Sequence, residues 1–95
     1  MKIDVEFLSV PLISEAIGKK NLEVDMSGET VKDVIDELIR RFAEKVRDTL
    51  YDEEGNYNLM VQIALNKKFV IPFNELHTPL KEGDNLTFMM LVTGG

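Results

Sequence analysis

Thr30-Val31-Lys32-Asp33-Val34-Ile35-Asp36-Glu37-Leu38-Ile39-Arg40-Arg41-Phe42 is the stretch whose reading decides the fold. Val31, Val34, Ile35, Leu38, Ile39 and Phe42 recur at the spacing of one helical face, with Lys32, Asp33, Asp36, Glu37, Arg40 and Arg41 opposite. This pattern predicts an amphipathic helix of about three to four turns that covers one face of a sheet. Thr30 is suited to cap it, and Asp33, three residues on, places a carboxylate among the unpaired amides of the first turn.

Strand signals flank the helix on both sides. Upstream, Ile3, Val5 and Phe7 alternate with Lys2, Asp4 and Glu6, the period of a half-buried strand. Pro11 ends that strand, Leu12 to Lys20 form a loop closing at Gly18, and Leu22 to Met26 alternate again, so the two strands are expected to form an antiparallel hairpin. Downstream, Ala43 to Leu59 is dominated by charged and turn-forming residues and reads as a solvated loop. A third strand starts near Met60 and carries Val61, Ile63 and Leu65; Asn66-Lys67-Lys68 turns into a short strand, Phe69 to Ile71, stopped by Pro72. Phe73 to Asp84 is a connection, and Leu86, Phe88, Met90 and Val92 alternate in a last strand.

The order strand, strand, helix, strand, short strand, strand describes an α+β roll. Its first and last strands pair in parallel at the centre of a mixed sheet of about five strands, crossed by one main helix. That is the β-grasp, or ubiquitin-like, layout. No repeat or linker interrupts it, so residues 1–95 are expected to form a single domain with a flexible C-terminal Gly-Gly tail.

Composition narrows the function. The chain has 95 residues, 11 Lys+Arg against 17 Asp+Glu, a net charge of −6 and no cysteine. Chains of this size hide about 60–65% of their unfolded surface, which leaves little room for a large cleft. Without cysteine there is no disulfide, thiolate metal site or catalytic thiol, and a reduced, cytoplasmic setting is expected. The negative balance and scattered cations argue against nucleic-acid binding and suit docking on a basic protein. No stretch approaches the roughly 20 apolar residues of a membrane span, and the charged start, Met1 to Glu6, lacks the apolar centre of a signal peptide.

Catalytic constellations are missing as well. His77 is the only histidine, so no nucleophile–base pair or His/Cys metal set can form around it. Asp52-Glu53-Glu54-Gly55-Asn56 resembles a calcium loop only superficially, since Tyr57 and Leu59 fall where liganding oxygens are needed. The six glycines are dispersed except for Gly94 and Gly95, and two in succession at a given place arise by chance about one time in two hundred. One reading is a frayed or trimmed end. The other is chemical: a Gly-Gly segment without β-carbons can pass through a narrow channel and present its carboxylate, which must be activated, for instance as an acyl-adenylate, before it can react. Such chemistry sits on the backbone and needs no catalytic side chain.

These residues resemble the MoaD/ThiS sulfur carriers, ubiquitin-like proteins that include the small subunit of molybdopterin synthase. The resemblance runs through Leu8 to Leu12, Glu15-Ala16-Ile17-Gly18, Leu22-Glu23-Val24, Thr30 to Val34 and Leu65-Asn66. It is most specific in His77-Thr78-Pro79-Leu80-Lys81-Glu82-Gly83-Asp84 together with Gly94-Gly95. The 43–59 insertion looks more like the molybdopterin branch, whereas Met89 to Thr93 lack the prolines and Leu12-Ile13-Ser14 the arginine often found there, so the branch stays open. The resemblance implies a carrier rather than an enzyme, with no bound cofactor. An ATP-using, ubiquitin-activating-type enzyme would adenylate Gly95, sulfur would replace one oxygen, and the thiocarboxylate would serve molybdenum cofactor biosynthesis beside the large subunit of molybdopterin synthase. Gly94, Thr93 and Val92 would thread the partner's channel. Met89 and Leu91, emerging opposite the core face of the last strand, would bind partners. The alternatives are a ubiquitin-like modifier joined to target lysines through Gly95, a thiamine or tRNA-thiolation carrier, and an interaction module that does not use its tail.

Overall fold

The computed structural model describes residues 1–8, 21–42, 44–58 and 60–90. β1 (Lys2–Leu8) buries Ile3, Val5 and Phe7 and turns Lys2 and Asp4 to solvent, as its alternation requires. It pairs antiparallel with β2 (Asn21–Asp25), Ile3 opposite Val24. The sheet continues through β3 (Val61–Leu65), β4 (Phe69–Ile71) and β5 (Asn85–Met90), in the order β2-β1-β5-β3-β4. β1 and β5 run parallel side by side, with Phe7 in register with Phe88 and their rings stacked at 5.7 Å. The mixed five-stranded sheet has the expected β-grasp layout. Pro11 and the Leu12–Lys20 loop lie outside the described residues.

Helix α1 (Val31–Phe42) lays Val31, Val34, Ile35 and Leu38 on the sheet, all without solvent exposure. Ile39 and Phe42, at the edge of that stripe, are partly buried against the same core. Its start is built as the sequence suggests: Asp33 Oδ2 accepts from the amides of Glu29 (2.9 Å) and Thr30 (3.0 Å), and the Asp33 amide donates to Thr30 Oγ1 (3.3 Å). Two further first-turn amides, of Val31 and Lys32, donate to the carbonyls of Thr78 and Leu76. The connection before β5 thus satisfies donors that every helix start leaves open.

The loop expected between Ala43 and Leu59 is a point of correction. Glu44–Leu50 form a second helix, α2, which places Val46 and Leu50 in the core with no exposure, Thr49 nearly so. Two turns give only a Val46–Leu50 pair at i, i+4, too short a run to stand out as a period among Glu44, Lys45, Arg47 and Asp48. Tertiary burial, not local pattern, supports this helix. Tyr51 and Tyr57 then bridge across the acidic turn that follows. In that turn Asp52 Oδ1 accepts from the amides of Glu54 and Asn56, both at 2.9 Å, so the carboxylate is used by the loop itself.

Candidate functional site

The residues that lead to the tail form the centre of the sheet. β5 is paired on both sides, Met89 standing between Leu8 of β1 and Gln62 of β3, and Met90 opposite Val61. β5 is thus held from both sides up to Met89 and from the β3 side at Met90. Leu91, Val92, Thr93, Gly94 and Gly95, the residues read as site, lie outside the described residues.

What holds β5 in place is the segment from His77 to Asp84. Leu80 is buried, and its amide donates to the Glu29 carbonyl at 2.7 Å, tying the segment to the start of α1. Asp84 Oδ2 accepts from the Lys81 amide at 2.8 Å and its own carbonyl accepts from the Asp4 amide at 2.9 Å. Gly83 has φ +84°, a left-handed conformation that favours glycine, and its amide donates to the Lys2 carbonyl at 2.8 Å. Glu82 accepts from the Lys2 amide through both oxygens. Asn66 closes the other side: its Oδ1 accepts from the Asn85 amide at 2.8 Å and its Nδ2 donates to Asp84 Oδ1 at 3.1 Å. The motif therefore fixes the start of β5 against β1, β3 and the helix. His77 itself is exposed.

The sheet face away from α1 presents Leu8, Glu6, Thr87, Met89, Gln62, Ala64 and Val70. Met89 emerges there half-buried rather than exposed. Leu8 beside it is 42% exposed and Val70, two strands away, 55%. Thr87 and Ala64 between them are buried. Leu8 and Val70 escaped sequence reasoning because alternation marks which residues share a face, not which of them stay exposed. Among the described residues no group of three or more His, Asp or Glu side chains could hold a metal ion, and none is arranged around His77.

The comparison with protein families decides the rest: a model described as the ThiS family matches residues 12–95. The chain belongs to the ThiS family. The family match runs through both the His77–Asp84 anchor and the glycine tail. The fold is that of the ubiquitin-like ThiS/MoaD carriers, and solved structures agree. The putative molybdopterin converting factor subunit 1 of Pyrococcus furiosus is 26% identical, with 97% of this chain and 99% of that one covered and a TM-score of 0.68. The small archaeal modifier protein 1 of Methanosarcina acetivorans is 25% identical over 99% and 96%, TM-score 0.74. The Amycolatopsis orientalis BexX/CysO complex contains a chain 28% identical over 98% and 99%, TM-score 0.73. No curated protein sequence matches.

Proposed function

We propose that the chain is a sulfur carrier whose reactive group is the carboxylate of Gly95, and that its role is that of the small subunit of molybdopterin synthase. The observation that carries this reading is the Gly94-Gly95 pair following the central strand of a ThiS-family fold. An adenylating enzyme uses ATP: a Gly95 carboxylate oxygen attacks the α-phosphorus, pyrophosphate leaves, and an acyl-adenylate forms. The outer sulfur of a persulfide on a partner enzyme then attacks the acyl carbon and AMP leaves; a thiolate attacks the inner sulfur of the resulting acyl persulfide, a disulfide forms on that enzyme, and the thiocarboxylate is released on Gly95 for a large partner subunit to use. Gly94, Thr93 and Val92 thread the partner's channel, Met89 and Leu91 dock, and the chain itself holds no cofactor. Likeness to the Pyrococcus furiosus factor supports the molybdopterin assignment. Mass spectrometry after incubation with the adenylating enzyme, ATP and a persulfide donor should show one oxygen replaced by sulfur at Gly95. An unchanged mass would sink the reading.

A second reading has its own support, the likeness to the archaeal modifier. There the Gly95 adenylate would instead be attacked by a lysine amine of a target protein, giving an isopeptide bond and AMP. Gly-Gly remnants on lysines, released after a lysine is engineered at Thr93, distinguish it. Both outcomes share the first step and differ only in the nucleophile.

A further inference from the structure

Half of the chain's net charge of −6 lies between Glu44 and Asn58, where Glu44, Asp48, Asp52, Glu53 and Glu54 face only Lys45 and Arg47. None of these five carboxylates forms an ion pair among the described residues. Two rings of this segment pack with a third from outside it. Tyr51 meets Tyr57 edge-on at 5.7 Å, and Tyr57 lies nearly parallel to Phe73 at 5.9 Å. Phe73 is the outer layer, 54% exposed, with Met60 also exposed. Asp52, Tyr57, Met60 and Phe73 line one open depression, and Asp52 and Gly55 join it to a second whose rim holds Glu44, Asp48 and Glu53.

An open aromatic face with an apolar neighbour and a rim richer in carboxylates than in its one cation, Arg47, with none of those carboxylates in an ion pair among the described residues, matches one chemistry, a cation on a long apolar stem. A guanidinium or ammonium is drawn to the ring face and to the carboxylate, while its methylenes cover the thioether. Place adds a second constraint. Met60 directly precedes Val61, which pairs with Met90, so this shelf lies at the end of the sheet from which the tail departs. We propose that the shelf seats an arginine- or lysine-bearing segment of the protein that takes up the C-terminal glycines, one cation laid over Phe73 with its charge against Asp52 Oδ2, since Oδ1 accepts the loop amides. The identity of that protein rests on the role proposed for Gly95; the chemistry of the shelf does not.

Two measurements test it. In an NMR titration at low salt, a short oligo-arginine peptide should give saturable shifts concentrated at residues 51–58, Met60 and Phe73, and an oligo-glutamate peptide none. Phe73→Leu, which keeps an apolar cover, and the pair Asp52→Asn with Glu53→Gln should each weaken binding roughly threefold to tenfold, and Phe73→Tyr should restore it. Shifts spread evenly over the acidic surface, including Asp4 and Glu23, or full affinity in Phe73→Leu, would overturn the proposal. In ATP–pyrophosphate exchange by the adenylating enzyme, Phe73→Leu should raise the KM for this chain more than it lowers kcat. Exchange with an unchanged KM in both variants removes the shelf and leaves the Gly95 reading standing. If the wild-type chain supports no exchange, the Gly95 reading falls and the peptide titration alone judges the shelf.

Discussion

Lys67 shows how a single backbone conformation can be both legible and costly. Asn66 and Lys67 both have positive φ, 52° and 57°, and the Lys68 amide closes the turn on the Leu65 carbonyl at 3.1 Å. Two successive left-handed residues make the tight turn whose twist matches an antiparallel pair, and glycine is favoured at its second position. Asn tolerates that conformation; lysine pays a steric cost of order 1–2 kcal/mol there. In return Lys67 gains only an exposed ion pair with Glu6 at 3.8 Å, worth a few tenths of a kcal/mol. Lys67→Gly should therefore stabilise the chain by about 0.5–1 kcal/mol, after the larger unfolded-state entropy of glycine is subtracted. Urea denaturation reads this as a higher midpoint with an unchanged slope. By contrast Asn66→Ala breaks both hydrogen bonds to the Asp84–Asn85 backbone and side chain, and its effect should be destabilising by about 1–3 kcal/mol.

At the scale of elements, the start of α1 is a coupled unit of Gly28, Thr30 and Asp33. A Cβ at position 28 would come within 2.4 Å of Asp33 Cβ and 2.6 Å of its Cγ, so any side chain there displaces the capping carboxylate. Gly28→Ala and Asp33→Ala should each cost about 0.5–2 kcal/mol, the worth of a helix cap. Asp33→Ala keeps the Cβ that a side chain at position 28 would meet, so the double variant should cost about as much as Gly28→Ala alone and less than the sum, because the cap hydrogen bonds are lost only once; simple additivity in a denaturation cycle would refute the coupling. The Glu29 and Thr30 amides hold the Asp33 carboxyl below its ordinary 3.8, and Arg40 and then Arg41 hold Glu37 at about 2 against 4.5. Both groups bind protons more readily in the unfolded chain, so the stability they add is complete above the unfolded carboxyl values and is lost as pH falls through the folded ones. The midpoint of thermal unfolding should thus drop between pH 4.5 and about 2, and drop less in Glu37→Gln.

The same elements show what a sequence makes readable. β1, α1 and the β3–β4 turn stand out because each announces itself by a period or a turn type that only local geometry can produce. α2 does not, since Val46 and Leu50 are two apolar points, and its reason to be helical is the core beneath it. The site divides likewise. His77 to Asp84 could be marked as a motif, but that it works by filling the open amides of α1 and clamping β1 became visible only once distant carbonyls were placed. Leu8, Val70, Met60 and Phe73 were missed because exposure belongs to the assembled surface and leaves no mark in the local pattern.

For the whole molecule, the parallel β1–β5 pair at the centre separates two tasks. The core side of β5, Leu86 and Phe88, is buried under α1 and carries stability, while the other side offers Met89 beside exposed Leu8. Sidedness makes the two tasks separable by mutation. Met89→Asp changes a half-buried position on the face away from α1 and leaves the core side of the strand intact, so a melting temperature within a few degrees of wild type is expected. A carboxylate introduced into an apolar contact on this face would have to be desolvated in the complex, which costs roughly 1–3 kcal/mol, or about fivefold to 150-fold in affinity for the proposed adenylating enzyme. Net charge acts on a different quantity. With −6 on the chain and the basic partner proposed for it, the association rate should fall as salt is raised from a Debye length of about 30 Å to about 8 Å, in wild type and Met89→Asp alike. Surface plasmon resonance separates the two, because the Met89 effect should appear in the dissociation rate at every salt concentration. A Met89→Asp chain that keeps its fold and dissociates at the wild-type rate would show that the partner docks elsewhere than on this face of the sheet.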